Sequence, residues 1–271
     1  MSRGAVGGLS VGGAIIVGLL ALMLGGNPIT AIRGAGQLFG TEHADPNYTP
    51  TAEEEALAQF AGQILAGTED VWTAIFEKNG LTYVPPKMVL FTGSVRSGCG
   101  GANAQSGPFY CSADQCVYLD LSFFSSMKEQ IGADGDFAYA YVIAHEVGHH
   151  VQYLLGTLDK AHREMSRYRQ GSKEYNQISV RLELQADFYA GVWAHHDNKM
   201  FGSLEPGDVE EGLAVASKIG DDFLQKQAYG YSVPDSFNHG TSAQRSRWLN
   251  KGIITGDPSQ GNTFAIDYDS L

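Results

Sequence analysis

Between Phe137 and Leu155 runs an apolar helical pattern broken only at its middle, by H-E-V-G-H-H at residues 145–150. Tyr139, Val142 and Ile143 precede the motif, and Val151, Leu154 and Leu155 follow it, all at helical spacing. A helix patterned this way belongs mostly inside a fold. His145 and His149 are four residues apart, so both rings leave one face, one turn apart. Any structure this chain adopts has to accommodate two imidazoles side by side in an apolar setting.

That pair suits Zn²⁺, which takes nitrogen ligands at about 2.0–2.1 Å. Glu146 sits beside the first histidine, where it can reach a water without binding the ion, which is the logic of H-E-x-x-H. A second segment sharpens this. Residues 183–187 read E-L-Q-A-D inside a helix expected over Asn176 to His195. Glu183 and Asp187 share a face of that helix, which is otherwise built from Leu182, Leu184, Ala186, Phe188, Tyr189, Ala190 and Val192. Two carboxylates there are costly to bury unless paired or metal-bound. Glu183 is therefore expected as the third metal ligand. Asp187 is expected to accept the ring N–H of a ligand histidine and so fix its tautomer. The alternative is a solvated polar edge formed by Arg181, Glu183 and Asp187.

The remaining elements suggest an α+β domain, with strands first and helices after. Thr51 and Glu54 form a capping box for a helix through Leu57, Phe60, Ala61, Ile64 and Leu65, and a second short helix is expected over Val71–Lys78. Strands are expected at 87–92, 109–111 and 116–121, with a Gly- and Ser-rich loop over 94–107. After the motif helix come a polar stretch at 157–175, a helix at 209–228 and a last one at 242–250.

Residues 1–31 contain an uncharged run, with AIIVGLLALML at 14–24, long enough for the roughly 20 residues that cross a bilayer. It reads as a single-pass anchor or as a signal segment that is cleaved; Arg3 ahead of it favours a cytoplasmic N-terminus. Residues 32–50 read as a linker and 51–271 as the main domain. Either way the domain is expected outside the cytoplasm, held at a bacterial cell membrane or secreted. A formal net charge of −12 argues against nucleic acid as a partner. Three cysteines, Cys99, Cys111 and Cys116, cannot all pair internally, and their spacing does not fix the partners. In an oxidising compartment Cys99–Cys111 is the first expectation. A metal site at Cys111 and Cys116 is the weaker alternative.

H-E-x-x-H followed by E-x-x-A-D on a later helix resembles the gluzincin metallopeptidases. GPFYC (107–111), VYLDL (117–121), HEVGHHVQ (145–152), ELQADFYAG (183–191) and HGTSAQR (239–245) together resemble the bacterial family of membrane-anchored neutral zinc metallopeptidases. The resemblance implies a zincin-like domain with a small sheet followed by a helical bundle, and cleavage of peptide or protein substrates. Zn²⁺ would be the cofactor and Glu146 the general base. It also implies that His239 donates to the oxyanion and that Arg245 braces the site. A zinc-containing binding protein that cleaves nothing is the competing reading. His150, His162, His195 and His196 are expected at the surface, in supporting contacts or at a helix end, and the basic run Lys160–Lys173 as a solvated face. Phe109–Cys111 is expected as an edge strand beside the cleft.

Overall fold

The computed structural model describes residues 49–103, 107–132 and 135–271. The apolar stretch at 14–24 and most of the expected linker lie outside them. Among the described residues no helix is long and apolar enough to cross a membrane.

The domain starts with helix α1 (Ala52–Lys78), capped by Thr51. The Thr51 N–H donates to Glu54 Oε2 at 2.8 Å and the Glu54 N–H to Thr51 Oγ1 at 3.2 Å. One continuous helix replaces the two expected. Through the polar A-G-T-E-D stretch, buried Thr68 returns its hydroxyl to the Leu65 carbonyl at 2.6 Å and the helix runs on.

Five short strands follow: β1 (Lys87–Phe91), β2 (Ser94–Ser97), β3 (Gly100–Asn103), β4 (Phe109–Cys111) and β5 (Cys116–Asp120). β5 lies between β1, parallel to it, and β4, antiparallel to it. β4 is thus an edge strand. β2 and β3 form a separate antiparallel hairpin where a loop was expected. Its Gly- and Ser-rich composition masks the strands, and side-chain bonds at its turn compensate. Ser97 Oγ bonds the Gly100 carbonyl, and the Gly98 N–H donates to Asp114 Oδ2 at 2.6 Å. A disulfide, Cys99–Cys111, ties the hairpin to β4 with 5.8 Å between Cα atoms. Cys116 is a buried free thiol opposite Cys111 across the ladder. With Cys111 in a disulfide, a metal pair of Cys111 and Cys116 has no support.

The rest is helical: α2 (Ser122–Ile131), α3 (Asp136–Leu154), α4 (Thr157–Met165), α5 (Lys173–Phe201), α6 (Asp208–Lys218), α7 (Asp221–Tyr229) and α8 (Ser242–Thr255). Neither α2 nor α4 was expected. α4 is short and mostly polar, yet it buries Leu158, Ala161 and Met165. The helix expected over 209–228 is two, broken at Gly220. A Cβ there would lie 2.2 Å from the Ser242 amide nitrogen, so α8 enters against this point. α5 is the hub, packed against α3, α8 and α1, and the core centres on Trp72, Tyr141, Ile143, Leu182, Leu184, Phe188 and Leu249.

Candidate metal centre

α3 and α5 cross almost backbone to backbone. A Cβ on Gly148 would stand 3.0 Å from the Ala186 carbonyl oxygen and 3.1 Å from its Cα, so the glycine inside the histidine motif permits the approach. The crossing brings His145, His149 and Glu183 together, with one potential ligand atom from each within 4.8 Å of the others. His145 Nε2 is 3.2 Å from Glu183 Oε2, and His149 Nε2 is 3.3 Å from Glu183 Oε1. All three side chains are buried.

What stands behind each imidazole decides which nitrogen faces inward. His145 Nδ1 donates to Asp187 Oδ1 at 2.7 Å. Arg245 binds Asp187 with two bonds of 2.9 Å, from Nε to Oδ2 and from Nη2 to Oδ1. The Tyr141 hydroxyl also donates to Asp187 Oδ1, at 2.6 Å, and accepts from Arg245 Nη2 at 3.2 Å. His149 is held differently. Its Nδ1 donates to Gln152 Oε1 at 2.9 Å. Gln152 Nε2 donates in turn to the Leu182 carbonyl at 2.7 Å and to Gln185 Oε1 at 3.1 Å, and Gln185 Nε2 reaches the Gly261 carbonyl at 2.8 Å. One histidine is thus backed by a carboxylate with its own counter-ion, the other by a chain of neutral amides.

With both Nδ1 protons committed, both Nε2 lone pairs face the Glu183 carboxylate. Three lone-pair donors converge, so something positive must lie among them, a proton or a metal ion. The electrostatics agree. Burial alone would lower His145, but the carboxylates of Asp187 and Glu183 outweigh it and push the group up to about 10. His149 is raised as well, Glu183 prevailing over burial. Glu183 is held well below the usual carboxylate range despite burial, chiefly by His149. Two imidazole nitrogens and one carboxylate are also the donor set of a three-ligand zinc site with a fourth position open.

Glu146 is 2% exposed, and burial raises its carboxyl above the ordinary value. The Tyr110 main-chain N–H of β4 bonds this carboxyl, while Oε2 is buried with no partner. Such an orphaned acceptor beside the cluster fits a group awaiting a water or substrate proton.

His239 is held from behind by Asp221. Its Nδ1 donates to Asp221 Oδ1 at 2.8 Å, and the amides of Asn238, His239 and Gly240 bond Oδ2. Its Nε2 is buried without a partner. At the adjacent Gly240 (φ +103°), a Cβ would lie 3.2 Å from Leu184 Cδ2 and 3.4 Å from Val180 Cγ1, so this turn rests on α5 where Glu183 leaves it.

His150 is not at the surface. It is fully buried, with Nδ1 2.9 Å from the Tyr110 hydroxyl and Nε2 2.7 Å from the Val84 carbonyl. His162 is half-buried rather than solvated. Its Nε2 has no partner, and burial foremost lowers its pKa. His195 and His196 bond the carbonyls of Ile253 and Gly256 and fasten the end of α5 to that of α8. Sequence reasoning missed Tyr141, Gln152, Gln185 and Asp221. Tyr141 is one turn before His145 and Gln152 three residues after His149, so helical spacing carried a signal for these two. None existed for Gln185 or Asp221, whose partners lie across the fold.

The buried His145–His149–Glu183 cluster could hold a metal ion, with the unpartnered Oε2 of Glu146 beside it. The chain belongs to the family described as "Putative neutral zinc metallopeptidase", whose model matches residues 1–264. It is 49% identical over 254 residues to the "Uncharacterized protein YpfJ" of Escherichia coli (strain K12), covering 93% of this chain and 86% of that one. It is 43% identical over 193 residues to the "Uncharacterized protein Rv2575" of Mycobacterium tuberculosis (strain ATCC 25618 / H37Rv), covering 68% of this chain and 64% of that one. No solved structure matches.

Proposed function

We propose that this chain is a zinc-dependent endopeptidase. The observation that carries the reading is Glu146, whose unpartnered carboxylate oxygen is buried beside the convergent His145, His149 and Glu183. These three would hold zinc, which when bound supplies Lewis acidity and lowers the pKa of a water to about 7. Glu146 takes the proton of the attacking water and passes it to the leaving amine. The raised pKa of its buried carboxyl suits it to hold that proton between the two transfers. His239, held through Nδ1 by Asp221, is placed to donate from Nε2 to the oxyanion when its ring carries both protons, with the Asp221 carboxylate as counter-ion. Arg245 and Tyr141 keep Asp187 ionised and in place behind His145. The edge strand β4 offers an extended peptide a main-chain partner next to Glu146. The Cys99–Cys111 disulfide and the apolar stretch in residues 1–31 support an active domain outside the cytoplasm, attached to a membrane through that stretch.

Digestion of casein or a peptide library, with and without chelator, tests the reading. Glu146→Gln is expected to retain zinc and lose hydrolysis by about 10²–10⁴-fold, the range for a positioned acid–base group. Peptidase activity unchanged in that variant would remove Glu146 from its role. A zinc-loaded wild-type chain that cleaves no peptide would leave only a binding protein.

A further inference from the structure

Fourteen residues beyond Glu183, about 21 Å along α5, Asp197 belongs to a second group of side chains that the metal centre does not use. Trp193, Asp197 and Phe201 of α5 face Ile64, Gly67 and Asp70 of α1 across a cavity of about 340 Å³. That volume falls at the small end of the roughly 300–1,000 Å³ typical of ligand sites. Trp193 is 3% exposed, and its indole Nε1–H has no acceptor. Asp197 is largely buried, and burial, with Asp70 adding to it, raises its carboxyl despite a hydrogen bond from Ser203. A Cβ on Gly67 would stand 2.8 Å from Asp197 Oδ1 and 3.8 Å from Trp193 Nε1. The Asp197 carboxylate therefore packs against Gly67 at the cavity wall, with the indole N–H of Trp193 close by. No described lysine or arginine lines the cavity.

The chemistry on offer is an acid without a cation and a donor without an acceptor, between apolar walls. A bare metal ion answers the first and leaves the second unmet. An uncharged apolar group answers neither. We propose that this cavity is a binding site for a basic residue of a peptide, lysine or arginine. The cation pairs with Asp197, with Asp70 nearby at the rim. The aliphatic stem lies along Ile64 and Phe201, and a peptide carbonyl accepts from Trp193 Nε1. An aromatic ring next to the cation adds to the attraction. The site does not depend on zinc or on peptidase activity, and it makes the α1–α5 face a docking point for basic polypeptide.

The test uses the full chain labelled with ¹⁵N at the indole nitrogens of its three tryptophans, Trp72, Trp193 and Trp248. Trp193→Phe assigns the signal of interest. Acetyl-lysine methylamide is titrated in, with acetyl-norleucine methylamide as the uncharged comparison. The expected result is a saturable shift of the Trp193 signal with the lysine probe alone, the other two signals staying in place as a check on the fold. Asp197→Asn should weaken that binding at least tenfold. Gly67→Ala, a favourable change for helix propensity, should abolish it by pushing the Asp197 carboxylate out of place. An unmoved Trp193 signal overturns the proposal, as does an equal response to norleucine or undiminished binding in both variants.

Discussion

Gln152→Leu removes one side chain that serves both the fold and the metal centre, and the structure separates the two contributions. Gln152 is fully buried and makes bonds of 2.9, 2.7 and 3.1 Å to His149 Nδ1, the Leu182 carbonyl and Gln185 Oε1. Leucine fills similar space and makes none of them. The Leu182 carbonyl lies inside α5 and keeps a helical acceptor role, so it loses little. The His149 N–H and Gln185 Oε1 are left unpaired in the core, at about 1–3 kcal/mol each, giving a stability loss of roughly 2–6 kcal/mol. The metal term is separate. Without Gln152 nothing holds the proton on Nδ1, and removal of such a partner typically costs about 10–100-fold in metal affinity. Competition with a chromophoric zinc chelator measures that term, and thermal unfolding of the chelator-treated chain measures the first. Gln152→Glu divides them: it keeps an acceptor for His149 but cannot donate to Leu182 or Gln185, so it should lose stability while holding zinc far better than Gln152→Leu. A folded Gln152→Leu protein that binds zinc within twofold of wild type would refute the reasoning.

Arg245→Met should destabilise the domain by about 3–5 kcal/mol in denaturant titration, because it strands the Asp187 carboxylate in the core. Gly148→Ala puts a Cβ 3.0 Å from the Ala186 carbonyl oxygen, pushes α3 and α5 apart and should cost about 1–3 kcal/mol, with weaker zinc binding. In the chelator-treated chain, His145 rises from 6.5 to about 10 on folding, so the folded state holds the extra proton. That contribution is complete below pH 6.5 and lost as pH climbs towards 10, so the melting temperature should fall across this window. Bound zinc reverses the trend, since ligand imidazoles must be neutral, and occupancy measured by metal analysis should drop as the solution is acidified.

The central constellation was legible because helical periodicity is local information. His145 with His149, and Glu183 with Asp187, declare a shared face from spacing alone, and their apolar neighbours declare burial. The approach of those two faces also left a trace, Gly148, whose meaning appears only once Ala186 lies against it. What stayed hidden depended on distant partners. The β2–β3 hairpin draws on Asp114, which its own composition does not announce, whereas the Cys99–Cys111 disulfide that ties it to β4 was the expected pairing. α4 is a polar helix whose three buried residues find their partners on other elements. His150 was expected at the surface or in a supporting contact, and Tyr110 and Val84, which cover that side of α3, decide for the contact. The interruption at Gly220 follows from the arrival of Ser242, which no local pattern encodes.

Gly191 and Gly252 bring α5 and α8 into main-chain contact, a Cβ on either being within 2.9 Å of the other strand of backbone. Arg245 lies about two turns away on the same helix, directed at a single carboxylate. Sliding α8 by one residue would swing that guanidinium by about 100° and leave two opposite charges stranded in the interior. Misalignment of these helices is therefore not a graded defect but a lethal one. The interior ion pair acts as a proofreader, admitting only the alignment in which the metal ligands are already in order.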